Sequence, residues 1–212
     1  MKELLEQVKE LEKTEVGELV RQRLKEFKSF EHRTEDEWFS ELCFCILTAN
    51  SKASTAIAIH EELADQGFRE YGFEEVRDTI RKHKHRFHNN KAKYILEARK
   101  HTRIKEIITS IVEEAGVKEA REWLVKNVKG YGYKEASHFL RNVGYKDIAI
   151  LDRHIINLMM EYGYLNKKPK NLNRKNYLSI EKKFQKMASE VDMNMAELDL
   201  YMWYLKAGEV LR

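Results

Sequence analysis

KGYGYKEASHFLRN, residues 129–142, sets two glycines one residue apart, Gly130 and Gly132, immediately ahead of Lys134. Leu124, Val125 and Val128 before them, and Ala136, Phe139 and Leu140 after them, keep the three-and-four spacing of an amphipathic helix. The stretch therefore reads as helix, tight hairpin, helix over 118–142. Glycine tolerates positive φ and leaves the backbone uncovered, so successive N–H groups with a helix N-terminus behind them can face an anion. A phosphate held by Lys129, Gly130, Gly132 and Tyr133 is the functional reading, and a plain helix-to-helix turn is the alternative. Lys134 stands in the first turn of the second helix, where the macrodipole opposes an ammonium and favours the neutral amine. Taken alone, that lysine serves as a phosphate contact. As a neutral amine it can also attack an electrophilic sugar carbon.

Outward from the hairpin, the chain reads as helix almost throughout. Its single proline is Pro169, and no convincing alternating strand, internal repeat or low-complexity segment is found. TEDE (34–37) is a capping box opening a helix with Trp38, Phe39, Leu42 and Ile46, and NMAE (194–197) is a second box opening the last helix. Ser51 and Asn90 are expected to cap helices of their own, and Gly116 to stop one. The proline-containing stretch 164–173 reads as a long connector.

The composition narrows the class. With 42% apolar residues in 212, the chain can bury one sizeable core or two small ones. No run of about eighteen apolar residues occurs, so neither membrane insertion nor a secretory leader is expected. Cys43 and Cys45 are the only cysteines, too few for a four-cysteine metal or iron–sulfur site. Residues 81–105 hold ten Lys and Arg against the single acid Glu97, and NKKPKNLNRK (166–175) holds five and no acid, whereas residues 1–40 carry eight basic against eleven acidic side chains. Two separated basic blocks favour a polyanion such as nucleic acid over merely solvated faces. His83, His85 and His88 lie in the first block without ligand partners at metal-site spacing, and read as part of a DNA-facing surface.

Eighteen residues beyond Lys134, the apolar run DIAIL ends at Asp152, followed by Arg153 and His154. Asp152 suits a helix N-cap. The same carboxylate could stabilise positive charge on a sugar carbon as a base departs and assist proton transfer.

A G-x-G-x-K hairpin followed about twenty residues later by an aspartate resembles the helix–hairpin–helix DNA glycosylase superfamily. Within it, ELCFCILTAN (41–50), KGYGYKEASHFLRNVG (129–144), AILDRH (149–154) and ELDLYMWYLKAG (197–208) resemble the archaeal 8-oxoguanine DNA glycosylase/AP lyase family over most of the chain. The resemblance implies Lys134 as Schiff-base nucleophile, Asp152 as its acidic partner and the hairpin as a phosphate clamp. It implies Asn50 as the side chain inserted into the duplex, with a loop or cap role as the alternative. It implies Phe87, Trp203 and the terminal Arg212 as readers of the extruded base, although Phe87 and Trp203 would also serve as core. The family usually ends in lysine, so Arg212 departs from the pattern.

The fold expected is all-α, with two helical subdomains and the helix–hairpin–helix motif at the cleft between them: residues 1–30 with 170–212 in one, 31–169 in the other. The activity expected is excision of 8-oxoguanine from double-stranded DNA and nicking of the abasic site, with no cofactor and no metal. A lyase-competent glycosylase for another oxidised base and a non-catalytic DNA-binding module are the alternatives. A monomer in the cytoplasm, nucleoid-associated during repair and with no membrane partner, completes the expectation.

Overall fold

The computed structural model describes residues 2–210, which form twelve α-helices and no strand. In chain order they are α1 (Lys2–Glu12), α2 (Glu15–Ser29), α3 (Glu35–Thr48), α4 (Ala53–Glu70), α5 (Phe73–Lys82), α6 (His88–Ala98), α7 (Ile104–Ala115), α8 (Val117–Asn127), α9 (Tyr133–Asn142), α10 (Arg153–Glu161), α11 (Arg174–Glu190) and α12 (Met195–Ala207). None of them is long and apolar enough to cross a membrane.

The chain groups into two compact units, one running to Glu31 and resuming at Leu140, the other spanning His32–Phe139. The change from one to the other falls inside α9. In the central unit α3 is the buried axis, with every residue from Trp38 to Leu47 inaccessible. Its start is fixed by the capping box expected from TEDE: the Glu37 amide donates to Thr34 Oγ1 at 3.2 Å, and the Thr34 amide returns to Glu37 Oε2 at 2.8 Å. Ile59, Ile80, Ile95, Ile108 and Leu124 from the surrounding helices are fully buried. Each such side chain contributes about 1.5–3 kcal/mol by leaving water. Trp38 meets Phe139 of α9 edge-on, with ring centroids 6.0 Å apart.

In the terminal unit α12 is the buried helix, opened by Asn194, whose side chain accepts from the Glu197 amide at 2.9 Å. A buried ion pair, Arg141 to Asp199 at 2.8 Å, joins the end of α9 to α12, and the Arg141 guanidinium lies 4.7 Å from the centre of the Phe27 ring. Residues 140–169 group with these terminal helices and not with the central ones, contrary to the division expected from the sequence. The reason is local. The buried segment Ile148–Leu151 hangs its backbone on α11: Tyr177 Oη donates to the Ala149 carbonyl at 2.7 Å and accepts from the Leu151 amide at 3.2 Å, and the Ala149 amide donates to Glu181 Oε1 at 3.1 Å.

Two expected caps are displaced. Lys52, not Ser51, precedes α4, and it makes no side-chain cap. Asn90 lies inside α6, which begins two residues earlier because its start is set by the loop before it. The stretch 164–173 is irregular, as a connector should be.

Candidate active site

The hairpin between α8 and α9 is held from below by aromatic side chains. Tyr131 is buried and its Oη donates to the Leu42 carbonyl of α3 at 2.8 Å, which fixes the hairpin tip on the central helix. Tyr133 Oη donates to Glu122 Oε2 at 2.6 Å, and the fully buried Arg121 places its guanidinium 5.6 Å from the Tyr133 ring centre and donates to Ser137 Oγ at 3.2 Å. Lys129 is exposed.

The two glycines do different work. Gly130 has φ +89°, and a Cβ there would sit 2.4 Å from Tyr94 Cδ2, so both its conformation and its closeness to an aromatic ring require glycine. Gly132 does not have positive φ, contrary to the sequence reading that gave it to both positions. Its amide donates to Glu135 Oε2 at 3.0 Å and its carbonyl accepts from Ala136 at 3.0 Å, so it stands as the N-cap of α9 with Glu135 closing the box. An internal carboxylate thus already occupies one of the amides expected to face a phosphate. Gly72 and Glu75 repeat the device at the start of α5, at 2.8 Å.

Lys134 follows on the first turn of α9, its side chain 23% exposed. Its Nζ donates to Thr48 Oγ1 at 3.4 Å and lies 3.9 Å from Glu135 Oε1. Thr48 in turn donates to the Cys45 carbonyl at 3.0 Å, so its oxygen meets the amine as an acceptor. The last turn of α3 gathers two further donors. Lys91, 4% exposed, donates to the Ile46 carbonyl at 2.7 Å, and His85, 3% exposed, bonds the Leu47 carbonyl at 3.0 Å through Nε2. These carbonyls are the unsatisfied end of a helix, where the macrodipole welcomes positive charge. Burial pushes the Lys91 ammonium down to about 8, with Glu135 opposing and Lys134 adding to the shift.

His85 and Lys91 were read from the sequence as part of a basic, DNA-facing surface, and the structure puts both inside. His83 pairs with Glu62 at 2.8 Å. No spacing rule could reveal that the partners of His85 and Lys91 are main-chain carbonyls about forty residues earlier, whereas the Gly132 cap had a readable signal in G-x-x-E.

Phe87 stands half-buried in the loop between α5 and α6, with the Arg86 guanidinium 4.4 Å from its ring centre. Asn50 is exposed just beyond α3 with φ +60°, a left-handed conformation that asparagine tolerates better than most residues. Lys134, the hairpin, Phe87 and Asn50 all belong to the central unit.

Asp152 and Trp203 belong to the terminal unit. Asp152 caps α10 through a single oxygen, Oδ1, which accepts from the His154 and Ile155 amides at 2.8 Å each. The Tyr177 contacts to the preceding segment fix where it stands. His154 meets Trp203 of α12 edge-on, with ring centroids 4.9 Å apart. Arg212 lies outside the described residues.

Comparison with known proteins agrees over the whole length. The family profile for 8-oxoguanine DNA glycosylase matches residues 20–193. The 8-oxoguanine DNA glycosylase/AP lyase of Methanocaldococcus jannaschii is 47% identical over 209 residues, 99% of each chain, and that of Korarchaeum cryptofilum is 44% identical over 211 residues, 99% of this chain and 98% of its own. The crystal structure of the Methanocaldococcus jannaschii 8-oxoguanine glycosylase/lyase in complex with 15mer DNA containing 8-oxoguanine superimposes with a TM-score of 0.95 at 46% identity, covering 99% of both chains. The 8-oxoguanine DNA glycosylase of Thermotoga maritima gives 0.92 at 38% identity over 100% of this chain and 99% of its own. With the glycine–lysine hairpin and the capping aspartate in place, and with likeness of this extent on both sequence and structure, the chain belongs to the 8-oxoguanine DNA glycosylase family.

Proposed function

We propose that this chain excises 8-oxoguanine from duplex DNA and nicks the resulting abasic site by β-elimination, with Lys134 as the nucleophile. The observation that carries the reading is the seat of Lys134: an amine sheltered on the first helical turn after the hairpin, with its Nζ bonded to the Thr48 hydroxyl. In the neutral form that nitrogen attacks the sugar C1′ as the bond to the base breaks, and the base leaves with a proton. The amine then loses its own proton as the sugar ring opens to an imine. The imine acidifies the C2′ hydrogens; removal of one forms the C2′–C3′ double bond and expels the 3′ phosphate, and water later releases the lysine.

Asp152 is assigned to stabilising the positive charge that builds on the sugar and to moving protons for the amine. Its cap engages Oδ1 alone, which supports a second use of the carboxylate. The hairpin with Lys129, Gly130 and Tyr133 is assigned to a DNA phosphate, Phe87 and Trp203 to stacking on the extruded base, and Asn50 to the space it leaves. The same proposal has a monomer acting in the cytoplasm on nucleoid DNA.

Borohydride trapping on an 8-oxoguanine duplex tests the assignment. The native chain should give a covalent adduct, Lys134→Gln none, and Asp152→Asn should bind DNA normally while excising about a hundredfold more slowly. Equal adduct from Lys134→Gln would remove the nucleophile, and native excision by Asp152→Asn would remove the acid.

A further inference from the structure

We propose that His85 is a positioning residue for base recognition, holding Phe87 in register with the nucleophile by tying its loop to the last turn of α3. The inference rests on the reading of Phe87 as the surface on which the extruded base stacks. The geometry begins at the end of α5. Lys84 adopts φ +58°, its amide donates to the Arg81 carbonyl at 2.9 Å, and the His85 amide donates to the Ile80 carbonyl at 3.3 Å. That is a Schellman termination with lysine in the place usually taken by glycine. It turns the chain so that the next side chain, His85, enters the interior.

Once inside, the imidazole uses both nitrogens. The Phe87 amide donates to Nδ1 at 3.1 Å, so Nδ1 carries no proton, and Nε2 donates its own to the Leu47 carbonyl at 3.0 Å. His88 Nδ1 lies 3.2 Å from the His85 carbonyl and closes the loop on its far side. The ring therefore joins the backbone of Phe87 to α3 by one bond on each face of the link. One residue on, Thr48 holds Lys134, and one residue back, Ile46 holds Lys91. The stacking residue and the nucleophile are referenced to the same helical turn.

A shift of about 1 Å in a reactant can cost a hundredfold in rate, so a loosened Phe87 should slow base removal. It should leave untouched the elimination step on a duplex whose base is already gone, because nothing remains there to stack. His85→Asn can still accept from the Phe87 amide but not reach Leu47, and His85→Gln can reach Leu47 but not serve the amide.

The experiment compares single-turnover excision of 8-oxoguanine, read after alkaline cleavage, with strand nicking and borohydride trapping on a preformed abasic duplex. Circular dichroism melts fix a temperature at which every variant is folded. Both His85 variants should excise about tenfold or more slowly and nick the abasic duplex at the native rate, and Phe87→Ala should show the same split. Native excision by both His85 variants, with Phe87→Ala impaired, would overturn the tie while leaving the stacking role. Parallel loss of excision and nicking in folded His85 variants would also overturn it, as a general structural effect. Native excision by Phe87→Ala would remove the stacking reading and this inference with it.

Discussion

Lys91 carries its ammonium into the interior to reach the Ile46 carbonyl, and that location makes its charge sensitive to pH within an accessible range. Its ordinary value is 10.5, and burial brings it to about 8 in the folded chain. Between those two values the unfolded chain holds a proton that the folded chain has released, so stability rises as pH climbs from about 8 towards 10.5 and is lost as pH falls back to 8, below which both states are protonated. Against Lys91→Met, which has no such group, the native chain should gain about 2 kcal/mol between pH 7.5 and 9.5 in urea unfolding. A difference that stays constant with pH would refute the buried placement. In the sequence, by contrast, Lys91 was one of ten cations spread over residues 81–105. Burial there depends on a carbonyl that no side-chain pattern records, whereas the place of Lys134 on the first turn of α9 and of Asp152 as the cap of α10 could be read from their own neighbours.

At the scale of the element, the hairpin between α8 and α9 separates two glycines that look alike in the sequence. Gly130→Ala forces a positive φ on alanine and drives its Cβ toward the Tyr94 ring, so about 2–4 kcal/mol of destabilisation is expected. Gly132→Ala keeps an allowed backbone, and its Cβ would meet only the Glu135 carboxylate at 3.2 Å, the far end of a flexible side chain. That change should cost less than about 1 kcal/mol. Chemical denaturation of the two variants checks the asymmetry, and equal losses would contradict it. The helix–hairpin–helix pattern itself was legible from apolar spacing on both flanks of GYG. What spacing left out was direction: Tyr131 turning inward to Leu42, and the Gly132 amide folding back onto Glu135. Similarly, the start of α6 escaped because the bond from Phe87 to His85, and not a polar cap at Asn90, determines it.

For the whole molecule, the basic segment 81–105 sets how binding should respond to salt. Of its ten cations, Lys91 donates to Ile46, Arg99 to the Phe68 and Tyr71 carbonyls, and Lys105 to the Arg33 carbonyl. Arg81, Lys82, Lys100 and Arg103 pair with Asp78, Glu62, Glu97 and Glu106. Fewer than ten are left to follow a phosphate backbone. The slope of log K against log salt concentration for duplex binding should therefore fall between roughly −3 and −6, at about −0.9 per phosphate neutralised. A slope near −9 would mean that the internal contacts break on binding, and a flat response would remove the segment from the interface. Composition predicted the sign of the partner correctly for a nucleic-acid enzyme, but it overcounted the charges available, because it could not tell a structural cation from a solvated one.

The closing turn of α3 also determines where substitutions can accumulate. Its acceptors at positions 46 and 47 are main-chain oxygens, which every amino acid supplies. Ile46 and Leu47 can therefore drift among apolar residues that fill the same volume without touching the anchor for Lys91 or the Phe87 loop. Only the donors, Lys91 and His85, are written in the genetic message. Inheritance of this joint is one-sided, and loss at either donor cannot be compensated by any side-chain change at the carbonyl it served.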